Sequence, residues 1–110
     1  SVPEKEVRDF VKSMNLNTEI IFNDRTQITN PLTNRKLELD VWIPELNKSI
    51  EFNGDYYHSF PDVKERDLIK KYQCNENEID LLIITETQWK NNRCDMENKI
   101  KNFLKEKVYD

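Results

Sequence analysis

Residues 37–52, LELDVWIPELNKSIEF, limit the fold more tightly than any other stretch of this chain. LELDVWI (37–43) alternates, with Leu37, Leu39, Val41 and Ile43 on one face and Glu38, Asp40 and Trp42 on the other. A period of two marks a half-buried strand, because successive side chains leave opposite faces. PELN then supplies a turn, and KSIEF (48–52) a second strand with Ile50 and Phe52 on one side and Glu51 on the other. Together they predict a hairpin within an antiparallel ribbon.

The flanking segments say what packs on that ribbon. PEKEVRDFVKSM spaces Val7, Phe10, Val11 and Met14 at i, i+3, i+4 and i+7, the apolar stripe of a helix. Ser1 is its cap, with Pro3 and Glu4 in the first turn, where proline fits and a carboxylate faces the positive end of the dipole. TEIIF (18–22) reads as a short strand, and NDRTQITNPLTNRK as a loop. DVKERDLIKKYQCNEN reads as a second helix, capped by Asp62 after Pro61, with Leu68, Ile69 and Tyr72 on its packed face. IDLLIIT (79–85) is a continuous apolar run, the pattern of a strand buried on both faces. ETQWKNN reads as a short helical turn, and Met96, Ile100, Phe103 and Leu104 mark a last helix. The order is α-β-β-β-α-β-α. The helix before IDLLIIT is long enough to cross over and lay that strand parallel to the ribbon, so the expected class is α/β, a small mixed β-sheet flanked by helices.

Length and composition bound the rest. The 110 residues fit one domain, 1–110, and although charged residues make up 35%, the apolar ones cluster periodically as in a folded chain. No run of about 18 apolar residues suggests a membrane span, so the expectation is a soluble protein of the cytoplasm. A start at Ser1 without Met suggests a piece of a longer protein. Cys74 and Cys94 stand alone, without a CxxC pair or a second histidine, and read as buried free thiols. A net charge of −4 argues against nucleic-acid binding over the whole surface, leaving Lys64, Arg66, Lys70 and Lys71 as a local basic face.

IEFNGDYYHSF (50–60) holds the chain's only glycine and only histidine, four positions apart. Asp40 and Glu51, from neighbouring strands with similar facing, form a pair able to share a hard cation such as Mg²⁺, which takes oxygen ligands and keeps several waters. Gly54 lets the backbone turn sharply or approach a ligand. His58, whose unperturbed pKa is near 6.5, is suited to take a proton from water. Asp67, a turn or two into the second helix, is placed to orient that imidazole, and Glu4 to reach the same water network. Taken singly, each has a plain structural explanation: a solvated strand carboxylate, a turn glycine, a structural histidine, helix-surface acids. The arrangement carries the functional reading.

SVPEKEVRDFVKS, LELDVWIPELNKSIEFNGDYYHS and ERDLIKKYQCNENEIDLLIITETQW together resemble the nuclease domain of phage and intron-encoded homing endonucleases of the EDxHD group. These are similar in fold to the very-short-patch mismatch repair endonucleases and, more distantly, to the PD-(D/E)xK nucleases. The resemblance implies a Mg²⁺-dependent DNA endonuclease, with Mn²⁺ as a substitute, acting on double-stranded DNA, as a homodimer for double-strand cleavage, with sequence recognition supplied by a separate region of a longer chain. It implies catalytic roles for Glu4, Asp40, His58 and Asp67, with Glu6 the alternative to Glu4, and metal ligation by Asp40 and the main-chain carbonyl of Phe52. Glu51, Asn53 and Lys70 are secondary candidates, Lys70 as a contact to the DNA backbone. One departure stands out: the PD-(D/E)xK pattern ends in Glu-x-Lys, and here Glu51-Phe52-Asn53 has no lysine. The competing readings are a mismatch-nicking repair enzyme, whose expected zinc cluster this chain cannot build, and a DNA-binding module without activity.

Overall fold

The computed structural model describes residues 1–55 and 60–105. Ser1 caps α1 (Val2–Ser13), its hydroxyl accepting from the Glu4 N–H at 3.3 Å. β1 (Ile21–Thr29), β2 (Lys36–Ile43) and β3 (Lys48–Asn53) run antiparallel in turn. A single 3₁₀ turn, Pro44–Leu46, ending on left-handed Asn47, joins β2 to β3. After α2 (Pro61–Glu76), β4 (Asp80–Thr85) lies parallel to β3. The result is a four-stranded mixed sheet in the order β1-β2-β3-β4, followed by α3 (Glu86–Asn91) and α4 (Arg93–Lys105).

Two apolar clusters sit on the sheet. Val7 and Val11 of α1, Trp89 of α3 and Ile100 and Leu104 of α4 pack on Val41, Ile43, Ile50 and Ile84. Cys74 of α2 packs with Ile28, Leu37, Leu39, Trp42 and Ile79 on the other. β4 feeds both, Leu82 and Ile84 turning to the first and Leu81 to the second, which is why its sequence is continuously apolar.

The structure corrects the sequence reading at four places. The first strand is not TEIIF with a loop after it: β1 continues through Thr29, with Asp24, Ile28 and Thr29 paired to Leu39, Leu37 and Lys36. Its register slips between Asp24 and Ile28 beside left-handed Asn23, and a bulge of this kind erases the alternation by which a strand is recognised. The four apolar residues of β2 do not share a face either. Leu37 and Leu39 join Trp42 in one cluster, while Val41 and Ile43 belong to the other, so the alternation changes phase between Leu39 and Val41, where the pairing with β3 ends.

α2 begins on Phe60 with no side-chain cap, so Asp62 is a first-turn acid and not the cap. Its packed side holds Ile69 and Cys74, whereas Leu68 and Tyr72 are exposed. Finally, Cys94 is exposed, and only Cys74 is a buried thiol. A signal that the sequence did carry is Thr85-x-x-Gln88, a reciprocal capping box that turns ETQWKN into a true helix and seats Trp89 in the core. Among the described residues no helix is long and apolar enough to cross a membrane.

Ile50 is fully buried in the centre of the sheet, so Ile50→Ala is expected to cost about 2–5 kcal/mol in urea unfolding. Leu68→Ala and Tyr72→Ala, on the outer side of α2, are expected to stay within about 0.5 kcal/mol of the parent.

Candidate functional site

The β2–β3 ladder stops at Val41 and Ile50. Beyond it β2 is paired only with β1, and β3 continues only with β4, through Glu51, Phe52 and Asn53 opposite Ile83, Ile84 and Thr85. The two central strands part, and the next residues across the gap are Asp40 and Glu51. Their side chains replace the missing ladder bonds: the Asp40 N–H donates to Glu51 Oε2 at 2.7 Å, and the Phe52 N–H donates to Asp40 Oδ2 at 3.0 Å. Main-chain donors in a half-buried gap need acceptors, and here carboxylates provide them.

α2 closes the arrangement. Lys70 Nζ donates to Glu51 Oε1 at 2.6 Å, and the Ser49 hydroxyl donates to Glu51 Oε2 at 3.2 Å. With side chains only 16% and 4% exposed, Lys70 and Glu51 form a buried ion pair, not a surface one. An open cleft of about 870 Å³ lies over this floor, lined among others by Glu4, Asp40, Glu51, Asn53, Asp67 and Lys70.

Burial, and then the charge of Asp40, push the Glu51 carboxyl up to about 7 against the pull of Lys70. Asp40 is also raised, by burial first, with Glu4 and Glu38 adding to the effect while the Phe52 N–H and Lys70 oppose it. Burial works against the Lys70 ammonium, but Glu51, by charge and by hydrogen bond, outweighs it with help from Asp40 and Asp67, so Lys70 holds its proton more firmly than usual. Cys74, one turn further along α2, has its thiol pushed up to about 11 by burial and then by Glu51, which keeps it neutral.

Glu4 reaches the cleft from the first turn of α1. Arg8 donates to Glu4 Oε1 at 3.2 Å and to Asn23 Oδ1 at 2.7 Å, and Asn23 in turn donates to Glu38, which also accepts from Arg25 at 2.6 Å. Glu6, the alternative, pairs with Arg93 at 3.2 Å and does not line the cleft. Asp67 and Asn53 line it; so do Phe52 and Gly54. Gly54 does not take a positive φ, and a Cβ there would meet no described protein atom within 4 Å.

His58 lies outside the described residues, as do Tyr56, Tyr57 and Ser59. The chain enters that segment from a fixed point. The Asp55 N–H donates to Glu86 Oε1 at 3.2 Å, and the Asp55 carboxylate accepts from Thr87 Oγ1 at 2.6 Å.

The sequence offers Lys70 as a contact to the DNA backbone; the structure places its ammonium on Glu51 inside the site. Its spacing was a usable signal, since Lys70 lies one helical turn from both Asp67 and Cys74 and so shares their side of α2.

The donor set bears on the implied Mg²⁺. Among the described residues no three His, Cys, Asp or Glu side chains gather as a metal group. Mg²⁺, however, commonly takes one or two carboxylates and keeps its remaining waters. Glu51 is a buried acid and Asp40 a half-buried one, both of raised pKa, and no described residue donates to Asp40 Oδ1. A hard divalent cation fits that chemistry. No family model matches this chain, and no curated protein or solved structure matches it.

The raised Glu51 carboxyl gives stability a pH dependence of definite sign. Between the ordinary value of 4.5 and about 7, the folded chain holds a proton that the unfolded chain has lost. Glu51 therefore contributes fully below 4.5, and its contribution is lost as pH rises through 7, roughly 3 kcal/mol across the window. Asp40, also raised, acts in the same direction. Urea unfolding between pH 5 and pH 8 is expected to show this decline, and Glu51→Gln to remove most of it. Lys70→Ala, which strands a buried acid, is expected to cost about 3–5 kcal/mol at pH 8 and clearly less at pH 5.

Proposed function

We propose that this chain is the catalytic domain of a divalent-cation-dependent DNA endonuclease of the homing type, hydrolysing phosphodiester bonds, with a core organised as in the PD-(D/E)xK nucleases. The observation that carries this reading is the parting of β2 and β3 at Asp40 and Glu51, which sets two raised-pKa carboxylates on the floor of an open cleft with a lysine beside them. The motif resemblance supplies the substrate.

In this mechanism Asp40, with the main-chain carbonyl of Phe52, would hold the cation, which would supply polarisation of a phosphoryl oxygen and a more acidic water. Glu51 fixes the Asp40 backbone and carries Lys70. Lys70 offsets the negative charge of the floor, and does so from α2 and not from the strand on which the PD-(D/E)xK pattern carries its lysine. Glu4, braced by Arg8, faces the same cleft. His58 takes the proton of the attacking water and Asp67, on the cleft wall, orients it. Duplex cleavage on both strands requires two such sites or two successive nicks, which is the reason for proposing a homodimer.

A reading without catalysis draws on the same ion pair, since both Glu51 oxygens already accept hydrogen bonds and a purely structural Lys70–Glu51 bridge in a DNA-binding module would look alike. Supercoiled plasmid incubated with Mg²⁺ separates the two. The parent chain is expected to nick or linearise it, Asp40→Asn to lose cleavage, and His58→Ala to slow it about 10²- to 10⁴-fold with folding intact. A parent chain that binds plasmid but leaves it supercoiled in both Mg²⁺ and Mn²⁺ favours the binding module.

A further inference from the structure

The cleft is not uniformly acidic. Of the cations that line it, Lys70 is committed to Glu51 and Arg25 to Glu38. Arg35, Lys36 and Arg66 are different: each is exposed, each lines the cleft, and none has an acidic partner among the described residues. Arg35 and Lys36 stand where β2 begins, on the ribbon side, while Arg66 stands on α2, one helical turn before Lys70.

The ribbon pair is carried on a braced turn. The Asn30 N–H donates to the Arg35 carbonyl and the Asn34 N–H to the Asn30 carbonyl, both at 2.8 Å. Asn30 Oδ1 accepts from the Leu32 N–H at 2.9 Å, Thr33 Oγ1 from the Arg35 N–H at 3.3 Å, and Asn34 takes the left-handed conformation. A cation presented on such a turn loses little backbone freedom when it meets its ligand.

In a chain of net charge −4, unpaired cations on both sides of a carboxylate floor suit a polyanion whose charges are spaced along a line. An isolated carboxylate or phosphate needs one or two of them; a sugar-phosphate backbone, with a charge every few ångströms, can engage all three. We infer that Arg35 and Lys36 of the β2 start and Arg66 of α2 form a two-sided phosphate clamp that lays one backbone of duplex DNA across Asp40 and Glu51. The clamp rests on the DNA reading above and adds the residues that grip and the path that the strand follows. Its contacts are to phosphate, so they set register and affinity, not sequence choice.

The test is the salt dependence of duplex binding, read by fluorescence anisotropy on a labelled oligonucleotide duplex with Ca²⁺ present, as KCl is raised. Each phosphate contact removed lowers the slope of log Kd against log salt by about 0.9, so Arg35→Ala/Lys36→Ala/Arg66→Ala is expected to lower it by about 2 to 3. Lys99→Ala/Lys101→Ala/Lys105→Ala makes the same change in net charge on exposed positions of α4 and is expected to leave the slope within about 0.5 of the parent. An unchanged slope in the cleft variant, or an equal fall in the α4 variant, overturns the clamp. Plasmid cleavage in Mg²⁺ keeps the two proposals apart. A chain that cleaves but shows either of those slopes retains the nuclease and loses the clamp, and one that binds through the three residues without cleaving retains the clamp and loses the nuclease.

Discussion

Two main-chain N–H groups, those of Asp40 and Phe52, lose their ladder partners where the central strands separate, and the rest of the architecture follows from how they are satisfied. Each donates to a carboxylate from the opposite strand. That solution brings two acids together in a half-buried place, and two buried like charges are tolerated only when a proton, a cation or a counter-ion offsets them. Lys70 is the counter-ion that the chain itself supplies. To deliver it, α2 must turn a lysine and Asp67 inward on the side that would otherwise be apolar. The helix therefore packs through little more than Ile69 and Cys74, with Leu68 and Tyr72 left outside.

The backbone on the other side of the cleft is shaped by asparagine. With one glycine in the chain, the left-handed positions among the described residues fall to Asn15, Asn17, Asn23, Asn34 and Asn47, and to Glu78. Asparagine tolerates that region better than other side-chain-bearing residues and adds an amide that can bond locally. Asn23 does both: its backbone sits at the irregularity of β1, and its amide joins Arg8, hence Glu4, to Glu38 of β2. One strand defect thus couples the start of α1 to the ribbon beside Asp40.

What was legible in the sequence was local. The β2–β3 hairpin, the crossover to β4 and the Ser1 cap each depend on spacing nearby in the chain, and the period of two gives the facing of Glu51 on β3 but not that of Asp40, where the alternation of β2 changes phase. What was hidden depended on partners far away. Asp24-Arg25-Thr26-Gln27 reads as loop, because nothing nearby reveals the pairing to β2 on either side of the slipped register. Leu68 and Tyr72 look like core until the demand for Lys70 rotates α2. Lys70 is legible as a cation near the site, but its pairing with Glu51 is not, because the PD-(D/E)xK pattern places a lysine two positions after the glutamate, on the same strand, whereas space is filled from any element that reaches it.

That substitution of one element for another bears on how an acidic chain could present the proposed site for a polyanion. A lysine on β3 would point along with Glu51 into the cleft mouth; from α2 it approaches from beneath and is largely buried, so its charge is spent within the floor and adds little to the field outside. The outward field is left to exposed cations at the rim, against acids that a bound divalent ion would mask. Net charge averages these layers together and is silent about them. On the proposed reading, a floor that repels phosphate until a cation occupies it, under a rim that attracts phosphate throughout, would be a stronger condition on DNA binding than any overall charge, and would make binding of the strand and of the ion mutually dependent by linkage.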